Sequence, residues 1–248
     1  MIYIKNKKDI ELMREACWLT KAALNEVGKH IAPGITTLEL DRIAHDFIKS
    51  HNGKPSFLNY NGFPASICSS LNDVVVHGIP GKDVLKDGDI ISIDMGAYLN
   101  GFHGDCAKTF FVGNVSDEAR RLVEVTKNSF YEGLKFATAG NRIGDISSAI
   151  QKYVESNGYS VVRDLVGHGI GKDLHEDPSV PNFGREGKGV RLVAGMTLAI
   201  EPMVNMGNYG VYTTSDGWTI KTIDNSLSAH YENTILITDG EPEILTKA

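Results

Sequence analysis

Gly88-Asp89-Ile90-Ile91-Ser92-Ile93-Asp94 has a counterpart later in the chain, Gly195-Met196-Thr197-Leu198-Ala199-Ile200-Glu201. Each reads as a short apolar strand entered from a glycine and ended by a carboxylate. A carboxylate at the end of a buried strand is costly unless a cation or a donor neutralises it. A second pairing follows, His103-Gly104-Asp105 against His230-Tyr231-Glu232. Four carboxylates from duplicated strands point to cations held between two halves.

The duplication extends outward. Pro33-Gly34 introduces Leu40, Ile43, Ala44, Phe47 and Ile48 at helical spacing, with Thr36 or Thr37 as the cap. Gly140 introduces Ile146, Ala149, Ile150, Tyr153 and Val154 in the same way, and Asn52-Gly53 and Asn157-Gly158 end the two helices. Longer helices are expected over 9–30 and 117–137. His77-Gly78-Ile79 and His168-Gly169-Ile170 are a further match, each read as a strand region. Loops fall at 181–189 and 205–217, the latter read as a hairpin. The expected fold class is α+β with pseudo-twofold symmetry. No linker separates the halves, so 1–248 is read as one domain with halves of 1–115 and 116–248.

Composition excludes several function classes. A chain of 248 residues, 42% hydrophobic and 23% charged, can bury a large core and reads as soluble and globular. A net charge of −6 offers no general attraction to nucleic acid or acidic membranes. The first residues lack the apolar core of a secretory signal, and no apolar run is long enough for a membrane span. Cys17, Cys68 and Cys106 are scattered, so neither disulfides nor a cysteine zinc site is supported. A cytoplasmic protein is expected.

Candidate metal ligands are Asp94, Asp105, His168, Glu201 and Glu232. An oxygen-rich set with one imidazole suits Mn, Fe, Co or Mg, with Zn as an alternative. Five such residues exceed one ordinary four-ligand site, and two ions about 3.5–4 Å apart fit better. Other motifs fail. Gly167-His168-Gly169-Ile170-Gly171-Lys172 continues into Asp173 and lacks P-loop spacing, and His175-Glu176-Asp177-Pro178 does not make an HExxH zinc helix.

Asp94, Gly104-Asp105, Gly167-His168-Gly169-Ile170-Gly171, Ile200-Glu201-Pro202-Met203 and Tyr231-Glu232-Asn233-Thr234 together resemble the motif series of the methionine aminopeptidases. The likeness runs from residue 7 to 246 and is to the short bacterial type I form. It implies the pita-bread (creatinase-like) fold, a curved, mainly antiparallel sheet flanked by helices. It also implies a dinuclear metal centre. In that centre Asp94 chelates one ion, Asp105 and Glu232 bridge both, and His168 and Glu201 bind the second. By the same resemblance two cations lower the pKa of a shared water that attacks the scissile carbonyl, and Glu201 shuttles the proton. His175 would polarise that carbonyl and His77 would contact the peptide near the leaving nitrogen. Tyr60, Phe63, Cys68 and Trp218 correspond to the methionine pocket, where a thioether packs against ring edges. Two positions depart from the family pattern: Phe57, where cysteine is usual, and Leu174, where phenylalanine is.

The implied activity is removal of the initiator methionine from nascent chains whose second residue is small. The implied partners are a Met-initiated peptide N-terminus and, transiently, the ribosome, with no specific nucleic-acid sequence, no membrane and a monomeric enzyme. The alternatives are a prolidase or Xaa-Pro aminopeptidase on the same fold, and a non-catalytic binding protein that keeps it. His103 and His230 are read as structural, and Cys17 and Cys106 as packing.

Overall fold

Asn6 starts helix α1 (Lys7–His30) with a reciprocal capping box: its side chain accepts from the Asp9 N–H, and the Asp9 carboxylate accepts from the Asn6 N–H. The same device starts α2 (Thr37–Ser50), where Thr36 rather than Thr37 is the cap and Glu39 closes the box. Ser116 caps α3 (Asp117–Leu134), and Arg142 precedes α4 (Ile143–Ser156). This computed structural model describes residues 1–247. The expected helix ends are met by Asn52 and Gly158, both with positive φ just past α2 and α4. Among the described residues, no helix is long and apolar enough to cross a membrane.

Two antiparallel sheets carry the duplicated strands. In the first, Ile90–Leu99 lies between Ile67–Leu71 and Phe102–Phe111, with Lys54–Pro55 pairing at its far end. In the second the order is Glu243–Ile244, Asn233–Leu236, Thr197–Ile200, Gly167–Gly169, Glu176–Val180. The sheets meet where the Ala107 and Glu232 backbones exchange hydrogen bonds at 3.3 and 2.9 Å. The Thr234 hydroxyl ties the join by accepting from the Asp105 N–H and donating to the Asp105 carbonyl.

Strand periodicity decides which side chains face which layer. Ile91, Ile93, Met95, Ala97 and Cys106 turn to one side and pack against α1 and α2. Leu198, Ile200 and Ile235 do the same against Leu122, Phe130, Ile146 and Ile150 of α3 and α4. Each large side chain fully buried in this way contributes about 1.5–3 kcal/mol. At Gly104 a Cβ would lie 2.7 Å from Cys17 Cα, so α1 rests directly on that strand. The opposite faces of both sheets point into a shared cavity.

Three sequence expectations need correction. Asp94 does not end its strand; it sits inside Ile90–Leu99, because pairing to Phe102–Phe111 continues to Leu99. Glu201 does follow the last residue of Thr197–Ile200. His168 lies in a strand, but His77 follows the strand Val74–Val76 with a left-handed φ of 59°. Finally, the hairpin is Val211–Thr213 with Ile220–Thr222, not 205–217. Asp224 accepts from the Asn208 N–H and holds the preceding segment as a loop, so the chain reverses at Asp216-Gly217 instead.

Candidate active site

The cavity-facing register follows from the pairing. Cys68 is opposite Asp94, Asp94 is opposite Ala107, and Asp105 lies two residues from Ala107 on the same face. In the second sheet Ala199 is opposite both His168 and Thr234, so Glu201, two residues after Ala199, and Glu232, two before Thr234, share that face. The two faces oppose each other across the join of the sheets. All five candidate ligands therefore line one cavity of about 800 Å³.

Asp105, His168 and Glu232 form the tightest group, each offering a ligand atom within 4.8 Å of the others. His168 Nε2 lies 3.8 Å from Asp105 Oδ2 and 3.6 Å from Glu201 Oε1. The Gly169 carbonyl, which can only accept, lies 2.9 Å from His168 Nδ1 and so fixes that nitrogen as the protonated one. Burial, and then the neighbouring His175, push His168 down to about 3, so the ring is neutral. Its Nε2 lone pair thus faces the carboxyl oxygens of Asp105 and Glu201.

The carboxylates show the same unmet demand. Burial, reinforced by Glu201 and offset by His230 and a hydrogen bond with Glu232, pushes Asp94 up to about 7. Burial pushes Glu201 up to about 8. Asp105 and Glu232 stand well above the ordinary range, from burial first and neighbouring carboxylates second. Asp94 Oδ1, Asp105 Oδ1 and Glu232 Oε1 are buried without hydrogen-bond partners. Unpartnered buried oxygens, clustered carboxylates and an inward lone pair are the environment that a divalent cation satisfies. The residues present fit such an ion.

The remaining candidates surround this centre. His175 Nδ1 is hydrogen-bonded to the Tyr60 hydroxyl at 2.8 Å, and its ring meets that of His168 edge-on at 4.2 Å. Burial pushes His77 down to about 4. Phe63 and Trp218 meet edge-on at 5.2 Å, and His77 stands 6.5 Å from Trp218. Tyr60, Phe63, Cys68 and Trp218 all line the cavity, as do the departing residues Phe57 and Leu174. Phe57, Phe63, Cys68 and Leu174 are core residues as well, packed with Met13, Phe102 and Ile170, and Tyr60 and Trp218 lie half-buried against them. Buried Cys17 and Cys106 lie outside the cavity lining.

His230 is the residue that sequence reasoning undervalued. It is 1% exposed, both ring nitrogens lack hydrogen-bond partners, and Nε2 is 3.5 Å from Glu201 Oε2. The signal available was its place two residues before Glu232. His103 shares the Asp105 face of its strand but lies outside the cavity lining, its Nδ1 2.9 Å from the Ser56 hydroxyl.

The likeness to known proteins agrees with this chemistry. A methionine aminopeptidase of Clostridium perfringens is 58% identical over 246 residues, covering 99% of each chain. The crystal structure of methionine aminopeptidase from Rickettsia prowazekii superposes with a TM-score of 0.98 at 46% identity, covering 100% of both chains. A prolidase from Pyrococcus horikoshii OT3, at 22% identity and a TM-score of 0.78, shares the fold; this chain spans 63% of it. The sequence profile of metallopeptidase family M24 matches residues 11–239, and with the carboxylate–imidazole centre now in view, the chain belongs to that family.

Proposed function

We propose that this protein is a methionine aminopeptidase: a metal-dependent hydrolase that removes an N-terminal methionine when the second residue is small. The observation that carries the reading is a single cavity with an ionisable floor and apolar, aromatic walls. Asp94, Asp105, His168, Glu201 and Glu232 would hold two divalent ions, of Mn, Fe or Co, with Zn as an alternative. When bound, such ions make water acidic enough to deprotonate near neutral pH and polarise the scissile carbonyl.

The chain's own groups supply the rest. Glu201 borders the cavity, and its ionised carboxylate accepts the proton of the attacking water and returns it to the leaving amine. Tyr60 orients His175 through Nδ1, leaving Nε2 as the ring's other nitrogen to donate to the carbonyl oxygen as charge develops there. His77, whose ring stands 6.5 Å from that of Trp218, would contact the peptide near the leaving nitrogen. Phe57, Phe63, Cys68, Leu174 and Trp218 exclude water and accommodate an unbranched thioether. A small second side chain is required because the scissile bond must approach the carboxylate floor.

The same reading makes the chain one catalytic domain built of two related halves. Its work is on nascent chains in the cytoplasm, as a monomer in transient contact with the ribosome. The test is release of free methionine from Met-Gly-Met-Met, Met-Leu-Met-Met and an Xaa-Pro peptide by protein reconstituted with Mn²⁺ or Co²⁺. Release from the first substrate alone supports the reading. Cleavage of the Xaa-Pro peptide alone would make a prolidase-like activity the better one, and no cleavage by folded, metal-loaded protein would favour a binding protein.

A further inference from the structure

Trp218 reaches the cavity from the tip of a hairpin, half-buried against the core around Phe63. The strands Val211–Thr213 and Ile220–Thr222 pair up to Thr213 and Ile220, beyond which 214–219 form the turn. Ser215, Asp216 and Gly217 are exposed, and Gly217 has a φ of +78° with nothing near it. Two backbone bonds close the turn, from the Thr214 N–H to the Thr219 carbonyl at 2.8 Å and from the Gly217 N–H to the Thr214 carbonyl at 3.1 Å, and one side chain gathers it further. Asp216 Oδ1 accepts from the Thr214 hydroxyl at 2.9 Å, the Trp218 N–H at 2.8 Å and the Thr219 N–H at 2.9 Å. Oδ2 accepts from the Thr219 hydroxyl at 2.6 Å. These bonds, headed by that from the Thr219 hydroxyl, hold the carboxyl far below its usual range, so it stays ionised at any working pH.

The other strand of the hairpin is tied to the active site. Ile220 pairs with Val76, the residue before His77. Trp218 is therefore fixed at two points: by Asp216 on the turn side, and by Ile220 on the side that leads to His77. Its indole edge then meets Phe63 and His77.

We propose that Asp216 is a positioning residue for first-residue selectivity: by gathering the turn around one carboxylate, it sets the Trp218 wall of the side-chain pocket. The proposal rests on the aminopeptidase reading given above. Asp216 touches no substrate, so its removal acts on binding of the first side chain and spares the metal-dependent chemistry.

The experiment compares Asp216→Ala and Asp216→Asn in a Trp18→Phe background, so that Trp218 is the sole tryptophan. Asp216→Ala is expected to red-shift Trp218 emission and expose it to acrylamide. It should raise KM for Met-Gly-Met-Met about tenfold, the equivalent of 1.4 kcal/mol, with kcat within a factor of about two. Preference for methionine over leucine as the first residue should narrow. Asp216→Asn keeps an acceptor oxygen for the two N–H groups and should restore both emission and KM. Unchanged emission and KM in Asp216→Ala would overturn the proposal, as would a loss confined to kcat. If no variant, wild type included, releases methionine, the aminopeptidase reading fails, while the emission data still decide whether Asp216 positions Trp218.

Discussion

Replacing Lys5 with methionine tests how the loop bearing His175 is held. Lys5 Nζ donates to Glu176 Oε2 at 2.5 Å, and the two side chains are only 5% and 3% exposed. Glu176 Oε1 accepts from the Lys172 N–H at 2.9 Å, and more weakly from the Asp173 N–H at 3.4 Å. One buried ion pair thus joins the segment before α1 to the turn that presents Leu174 and His175. Breaking such a pair from one side costs about 3–5 kcal/mol, because a charge is left buried without its partner. The backbone donors that remain offset part of this, so the lower end, about 3 kcal/mol, is expected. For a chain of this size that is a fall in Tm of about 6–12 °C. Adding Glu176→Gln to Lys5→Met removes the orphaned charge while keeping an acceptor for the Lys172 N–H, and should recover at least half of the loss. Thermal and urea unfolding at fixed metal content measure both variants. A cost below about 1 kcal/mol for Lys5→Met, or a double variant less stable than the single one, would refute this view of the pair.

Three further outcomes are expected. Glu201→Ala should abolish methionine release and weaken metal uptake by calorimetry; near-normal turnover would remove Glu201 from proton transfer. His175→Ala should lower kcat far more than it raises KM, and Tyr60→Phe, which loses one hydrogen bond, should cost about fivefold in kcat; an effect of either on KM alone would contradict a transition-state role. In metal-free protein, Asp94 and Glu201 keep protons up to about 7 and about 8. Unfolded, they would lose them near pH 4. The folded state then binds more protons between about pH 4 and 8, so stability should fall as pH rises through that window. Urea midpoints should decline across it, and Mn²⁺ should flatten the decline; a midpoint that rises with pH would show that these carboxylates are not held protonated.

Much of the site was legible because it depends on period two. Asp94, Asp105 and His168 sit on the cavity face of their strands, and Glu201 and Glu232 lie just after Ile200 and just before Asn233; around Asp94 the other face is visibly apolar, with Ile91, Ile93 and Met95. The duplicated helices were legible for a similar reason, their buried stripes and caps being local. What the sequence hid was tertiary. His77 was read as strand, but its left-handed φ of 59° breaks the extended run after Val76, although the Gly78 carbonyl still accepts from the Ser69 N–H at 2.8 Å. The hairpin was placed too early because Asn205, Gly207 and Asn208 are strong turn formers. The Asp216-Gly217 pair, an equally good turn signal, wins because the two strands beside it can pair. His230 passed as structural because its proximity to Glu201 comes from the pairing of His230 with Met203, a contact that its place two residues before Glu232 hints at but does not specify.

The most direct test of the metal centre as the catalytic site is a titration of metal-stripped protein with Mn²⁺, following bound metal and methionine release from Met-Gly-Met-Met on the same samples. Release should be absent without metal and rise in step with bound Mn²⁺. In Asp105→Ala and Glu232→Ala, uptake and release should be lost together. Release that persists in stripped protein, or full metal occupancy at these residues with no release, would contradict the assignment.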